Sequence, residues 1–326
     1  MKMLLRVSHG MGDNAQFVIV LKHIKHYRPK WKVDLEIAKG NSSFFTGLCN
    51  KIYTIDTLTL KLLRYVKYCK WISRRKDYHG IEIKDSEIYK KKYDRIFDIF
   101  FPVPKISFSD VPSTKVTWCL TRMFHMKPNK KLYKYRVHIN KADRKKVDTY
   151  VGTLPTKDYV LIHYISKTLR QRKSLTDEDT KNICDLVIKK GYIPVILDWK
   201  EDSPLPDQKT IFCPGGNNPL WSGNTWAEAG TLAALIERAK LYIGVDSGPL
   251  HVAGATQTPT LAIWRKHHPV NYFDLADNVL HLLPNDIENI QGTEPKKARR
   301  FFEENYNHQY YKDIHKELLD TIDNML

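Results

Sequence analysis

Apolar residues run through the chain in short blocks, and their spacing sets out its elements. Met3 to Ser8 is strand-like, and Phe17, Val18, Leu21, Ile24 and Tyr27 then recur at helical spacing up to the break at Arg28-Pro29. Lys32 to Ala38 and Lys51 to Ile55 read as strands, Leu58 to Lys76 as an amphipathic helix, and Arg95 to Phe101 as a further strand. Val111 to Met126 and Ala142 to Tyr150 are helix-like, Tyr133 to Ile139 is short and mixed, and Gly152-Thr-Leu-Pro155 breaks the chain. Beyond the break the alternation becomes regular. Strands at Tyr159 to Tyr164, Tyr192 to Leu197, Thr210 to Phe212, Leu241 to Val245 and Thr260 to Trp264 enclose helices at Thr176 to Ile188 and Leu232 to Lys240.

Strands alternating with helices of this length imply an α/β class with parallel sheets covered on both faces. At 326 residues the chain is long for one core. Two Rossmann-like domains facing across a cleft are therefore expected, over 1–150 and 151–305. Residues 306–326 close the chain, and Ile314, Leu318, Leu319 and Ile322 in them mark an amphipathic helix that packs back across the domains.

Two loops carry candidate chemistry. Val245 is followed by Asp246-Ser-Gly-Pro249, and Leu250, Val252, Ala253 and Ala255 continue at helical length to Thr256. Pro249 suits the first turn of a helix, and a tight loop before it leaves backbone N–H groups unpaired for a phosphate or diphosphate. Pro249 has no N–H, so Gly248 and Leu250 are the expected backbone contacts, with the Ser247 side chain beside them. The other loop, His9-Gly-Met-Gly-Asp13, follows the first strand, where open sheets place their ligands. Gly10 and Gly12 allow close approach of backbone or ligand, and Asp13 is read as either a helix cap or a functional carboxylate.

Charge adds a third signal. The formal charge is +17, with seven Lys or Arg and no acid from Lys61 to Lys76, and nine against one Asp from Lys127 to Lys146. Such a field favours polyanions: nucleotide diphosphates, an anionic lipid or lipopolysaccharide surface, or nucleic acid; a merely Lys-rich solvated surface is the plain alternative. No apolar run approaches the roughly 18 residues of a membrane span. The N-terminus is too short and too soon polar for a secretory signal, so a cytoplasmic protein is expected, with peripheral contact at the inner membrane face. Five widely spaced cysteines without a Cys-x-x-Cys pair argue against a disulfide framework and a zinc site.

Ser8-His-Gly-Met-Gly-Asp13 together with Val245-Asp-Ser-Gly-Pro-Leu-His-Val-Ala-Gly-Ala-Thr256 resembles the lipopolysaccharide heptosyltransferase family of glycosyltransferases, family 9, which have the two-domain GT-B fold. The resemblance implies an inverting transfer of a sugar, of heptose type, from an ADP-linked or other nucleotide-sugar donor to a hydroxyl of an anionic glycolipid. Transfer to modified nucleic acid and a non-catalytic nucleotide-binding module are the alternatives. It implies no cofactor and no metal. Asp13 would be the general base, with His9, Gly10 and Gly12 in its loop and Arg64 on the basic helix face toward the acceptor. Asp246 would cap the diphosphate loop or reach a donor hydroxyl, with Ser247, Gly248, Pro249 and Leu250 forming it. His251 would approach a phosphate or the acceptor, or stand as an interior helix histidine. The loop Ser166-Lys167-Thr-Leu-Arg170-Gln-Arg172-Lys173 would supply basic groups to the donor, Lys173 being the match by position and Arg170 and Arg172 its rivals. Trp221 and Trp226 would stack on the base or pack. Relatives with cysteine-bound iron use clustered cysteines, which this chain lacks.

Overall fold

The computed structural model describes residues 1–7, 10–55, 80–82, 93–99, 114–166, 169–197, 211–212, 228–287, 290 and 295–326. The amphipathic helix expected from Leu58 to Lys76, with Arg64, lies outside them, as do His9, Lys167, Trp221 and Trp226.

Two sheets organise the chain. The first has the order β3-β2-β1-β5-β4, from β1 (Lys2–Val7), β2 (Lys32–Ala38), β3 (Lys51–Ile55), β4 (Gly80–Glu82) and β5 (Arg95–Ile99). It is parallel except for β4, which pairs antiparallel with β5 as Gly80↔Ile99. The second is fully parallel in the order β12-β11-β10-β9-β6-β7-β8. Its strands are β6 (Tyr159–His163), β7 (Ile193–Leu197), β8 (Ile211–Phe212), β9 (Leu241–Val245), β10 (Thr260–Ile263), β11 (Val279–Pro284) and β12 (His308–Tyr311). β6 and β9 are buried along their whole length, as strands covered on both faces must be.

This order places the loops. In the first sheet the chain moves from β1 to β2 on one side and returns to β5 on the other; in the second it leaves β6 toward β7 and returns to β9. The β1/β5 and β6/β9 pairs are thus the points where strand order reverses, and the crevices that open sheets offer to ligands lie there. The expected site loops follow β1, β6 and β9.

Helix α1 (Met11–Tyr27) is buried on nearly every side from Asn14 to Leu21, beyond the single apolar face its spacing suggests. The cause is its position: it packs on the first sheet's core and against α7 (Gly248–Ala253) of the second half. A second joint lies at helix α3 (Lys141–Val151), whose Asn140–Asp143 capping box opens it. The Asp143 carboxylate also accepts from Thr231 Oγ1 at 2.8 Å, and the Ala229 N–H donates to Gly40 O at 2.8 Å, tying α6 (Ala229–Arg238) to the first half. Gly230 is required there, since a Cβ would stand 2.5 Å from Asp143 Oδ2.

Between these joints, α2 (Thr114–Trp118) continues into a π-turn at Cys119–Met123, within the segment read as one helix. In the second half, Thr176 caps α5 (Asp177–Lys189) through a capping box with Asp179. The terminal helix α10 (Ile314–Met325) packs back against α5, sharing a core of Ile183, Val187, Leu318 and Ile322. Strands β11 and β12 and helix α9 (Pro295–Asn305) were not evident in the sequence pattern. Among the described residues no helix is long and apolar enough to cross a membrane.

Candidate active site at the meeting of two loops

The two glycine loops touch. A Cβ on Gly12 would lie 2.8 Å from His251 Cδ2, and one on Gly248 would lie 3.1 Å from Met11 Cβ and 3.4 Å from Gly12 N. A side chain at Gly12 would strike the His251 ring, and one at Gly248 would press tightly on Met11, so the loops meet with almost no space between them. Gly10 has open space around its Cβ position, so of the two early glycines Gly12 is the one the structure demands.

Asp13 sits in the first turn of α1, with Gly10 as the N-cap residue. Its Oδ1 lies 3.2 Å from Lys115 Nζ, and the carboxylate keeps about a quarter of its surface exposed (24%). Lys115, from α2, also stands 5.1 Å from the centre of the Tyr272 ring. The carboxylate is held by an ion pair and remains open to solvent.

The opposite side is more densely bonded. Asp246 Oδ2 pairs with Lys173 Nζ at 2.7 Å and with His267 Nδ1 at 2.7 Å. Burial works to raise the Asp246 pKa, but the hydrogen bond from His267 and the charge of Lys173 outweigh it and bring it down to about 2. Ser166 Oγ donates to the Asp246 carbonyl at 3.4 Å, and the Ser166 N–H donates to Ser174 Oγ at 2.9 Å. Ser247 Oγ lies 3.1 Å from His163 Nδ1, at the end of β6. Three loops, after β6, β9 and β10, converge on one carboxylate.

The geometry revises several expected roles. Asp246, expected to cap the diphosphate loop or reach a donor hydroxyl, anchors two side chains, and Ser247 is the N-cap residue of the following helix. Helix α7 ends at Ala253, short of the expected Thr256. The Leu250 N–H closes a turn on Ser247 O at 3.2 Å, which leaves Gly248 as the stronger backbone donor. Pro249 lies in the first turn as its fixed φ favours. In the basic loop, Lys173 turns inward while Arg170 and Arg172, in the one-turn helix α4 (Arg170–Lys173), are exposed.

His251, one turn into α7, has its Nδ1 2.9 Å from Tyr135 Oη, and Tyr135 Oη donates to the Tyr272 carbonyl at 3.0 Å. Burial lowers the His251 pKa to about 4, the nearby Asp246 and Asp13 charges opposing it only in part. The imidazole is neutral at pH 7.

Lys115, Tyr135, His163 and His267 were missed by the sequence reading. His163 and His267 had a usable signal, since both stand at or just beyond the carboxyl ends of parallel strands. Lys115 and Tyr135 had none: each is one basic or aromatic residue among many, brought in by tertiary packing.

Residues 227–299 match the family model of glycosyltransferase family 9 (heptosyltransferase). This stretch is heptosyltransferase-like. The match contains α6, β9, the 246–249 loop, α7 and His267, so the family signal falls on the densely bonded side of the site. Lipopolysaccharide heptosyltransferase 3 of Escherichia coli is 27% identical over 137 residues, 42% of this chain and 39% of that relative. The match therefore spans well under half the length of that curated relative. Among solved structures, the E. coli ADP-heptose lipopolysaccharide heptosyltransferase II superposes with a TM-score of 0.63 at 12% identity, covering 100% of this chain and 98% of that one. A family 9 glycosyltransferase from Veillonella parvula gives 0.62 at 12% identity, covering 99% and 96%. These likenesses show the shared fold, the two-domain GT-B arrangement. Among the described residues no group of three His, Cys, Asp or Glu side chains is placed to hold a metal ion.

Proposed function

We propose that the chain is an inverting glycosyltransferase that moves a sugar of heptose type from an ADP-linked donor to a hydroxyl of an anionic glycolipid such as a lipopolysaccharide core. The observation that carries this reading is the contact of the Gly12-Asp13 loop with Gly248 and His251, which brings an accessible carboxylate beside a heptosyltransferase-like donor segment. The nucleotide and the sugar are taken from the names of the similar proteins.

In this scheme Asp13 accepts the proton of the acceptor hydroxyl as its oxygen bonds to the anomeric carbon. The bond to the diphosphate breaks on the opposite face, its electron pair leaving on the phosphate oxygen. Lys173 is oriented by one contact to Asp246 and keeps further N–H donors for the leaving group, with the Gly248 N–H beside it. Transfer is thereby metal-independent. The 1–150 segment binds the acceptor and 151–305 the donor, and the Lys-rich stretches draw the enzyme to an anionic membrane surface.

A thermal-shift screen against ADP, GDP, UDP and CDP, followed by ADP-heptose turnover on heptose-deficient lipopolysaccharide, tests this. Stabilisation by ADP and a mass gain on the glycolipid are expected. No stabilisation by any nucleotide and no release of ADP would overturn the reading; transfer to DNA instead would replace the acceptor.

A further inference from the structure

His251 is where the two loops meet, and its hydrogen bonds fix more than its position. Tyr135 lies on the segment that crosses between the halves, held by its own N–H to the Asp274 carboxylate. Its ring packs 5.4 Å from His251 and 5.4 Å from Phe273, and Phe273 lies 5.3 Å from His251, so the three rings are in mutual contact. The imidazole thus packs against two aromatic rings, with one polar contact among the described residues.

A phenol has one proton. The Tyr272 carbonyl can only accept, and with the Tyr135 proton directed to it at 3.0 Å the phenol oxygen accepts from His251 at 2.9 Å. In that arrangement the proton of the neutral ring is on Nδ1. Nε2 carries the lone pair, has no partner among the described residues, and lies on the ring edge that faces Gly12, 3.1 Å from where its Cβ would be. A neutral imidazole held this way cannot donate from Nε2 to a phosphate oxygen; it can only accept.

We propose that Tyr135 is a positioning residue that fixes His251 as its Nδ1–H tautomer, so that Nε2 accepts a hydrogen bond from a substrate hydroxyl beside Asp13 rather than donating one to the diphosphate. The assignment of a hydroxyl rests on the glycosyltransferase reading above, whereas the tautomer does not. The hydroxyl is one on the transferred sugar or on the acceptor. Tyr135 itself touches no substrate and acts through His251.

Nitrogen-15 spectra of imidazole-labelled protein at neutral pH decide the tautomer, with the His251 signal assigned by its loss in His251→Gln. A pyrrole-like Nδ1 and a pyridine-like Nε2 are expected, and Tyr135→Phe should mix the two forms while the ring stays packed. With donor and acceptor, Tyr135→Phe should lower kcat by about tenfold, the worth of one misdirected hydrogen bond, with KM for the nucleotide-sugar and the ADP thermal shift unchanged. A proton on Nε2 in the unsubstituted protein overturns the proposal, as does a Tyr135→Phe variant that raises KM for the donor at unchanged kcat. If no nucleotide binds at all, the functional reading fails, while the spectrum still decides the tautomer.

Discussion

The two sides of the site are built to different standards. Around Asp246, three loops of the second sheet lock Lys173 and His267 onto one carboxylate at 2.7 Å each, and Lys173 and Asp246 keep only 10% and 8% of their side-chain surface. Around Asp13, the ion pair to Lys115 is longer, at 3.2 Å, and the side chain is about three times as exposed. A group that must hold a charged leaving group gains from rigidity, because its dipoles then need no reorganisation. A group that must take a proton from an incoming hydroxyl needs access instead. The contrast fits the proposal that the second half binds the donor and the first takes the proton.

The sharpest way to break that assignment is Asp13→Asn. Removing the base while keeping its shape should lower kcat by about 10²–10⁴-fold, with nucleotide binding intact by thermal shift. Undiminished transfer would move the base elsewhere, with His251 next in reach. Asp246→Asn attacks the other side. It leaves the Lys173 ammonium buried without its counter-charge, and breaking such a pair from one end costs about 3–5 kcal/mol. Denaturant unfolding should show that loss, and nucleotide stabilisation should fall with it. An unchanged midpoint would mean that the three-loop network is dispensable.

Much of this was legible beforehand, and the limits are physical. Strong periodicity found β1, β6, β7, β9 and β10 within a residue or two, because strands buried on both faces must be apolar throughout. β12 reads His-Gln-Tyr-Tyr and is an edge strand whose pattern is mixed, so only pairing with β11 reveals it. Asp13, Asp246 and Ser247 stood out because loop position after a parallel strand is itself a signal, whereas Ser166 and Lys173 entered through the family resemblance. The choice among Arg170, Arg172 and Lys173 was not legible: a one-turn helix faces all three differently, and only tertiary burial shows which turns in.

Acid titration extends the comparison to stability. In the second half His251, His268 and His281 all have lowered pKa values, to about 4, 3 and 3, with burial the leading cause in each. His281 Nδ1 accepts from Trp264 Nε1 at 2.9 Å and His268 Nδ1 from the Val270 N–H at 3.3 Å, so both are held neutral in an aromatic core around Phe302. The unfolded chain binds their protons below about pH 6.5, while the folded chain does not until pH nears the lowered values. Stability is therefore fully present above about pH 6.5 and falls on acidification, by about 1.4 kcal/mol per pH unit for each histidine between those limits. Unfolding free energies from urea titrations between pH 7.5 and 4.5 should decline with that slope, and His281→Phe should reduce it by about a third. A flat profile would mean that these rings are protonated in the folded state.

The smallest effect expected is the most discriminating for the basic loop. Arg170 and Arg172 are exposed, so their interaction with a bound diphosphate is screened by water and salt, and each is worth at most a few tenths to about 1 kcal/mol. Arg170→Ala and Arg172→Ala should raise KM for the donor by less than about fivefold at physiological salt and leave kcat unchanged. Lys173→Ala, at the inward position of the same turn, should lose donor stabilisation outright. If an arginine variant instead matched the lysine variant, the loop would have to fold inward on the donor, and the rigid side of the site would be rigid only when occupied.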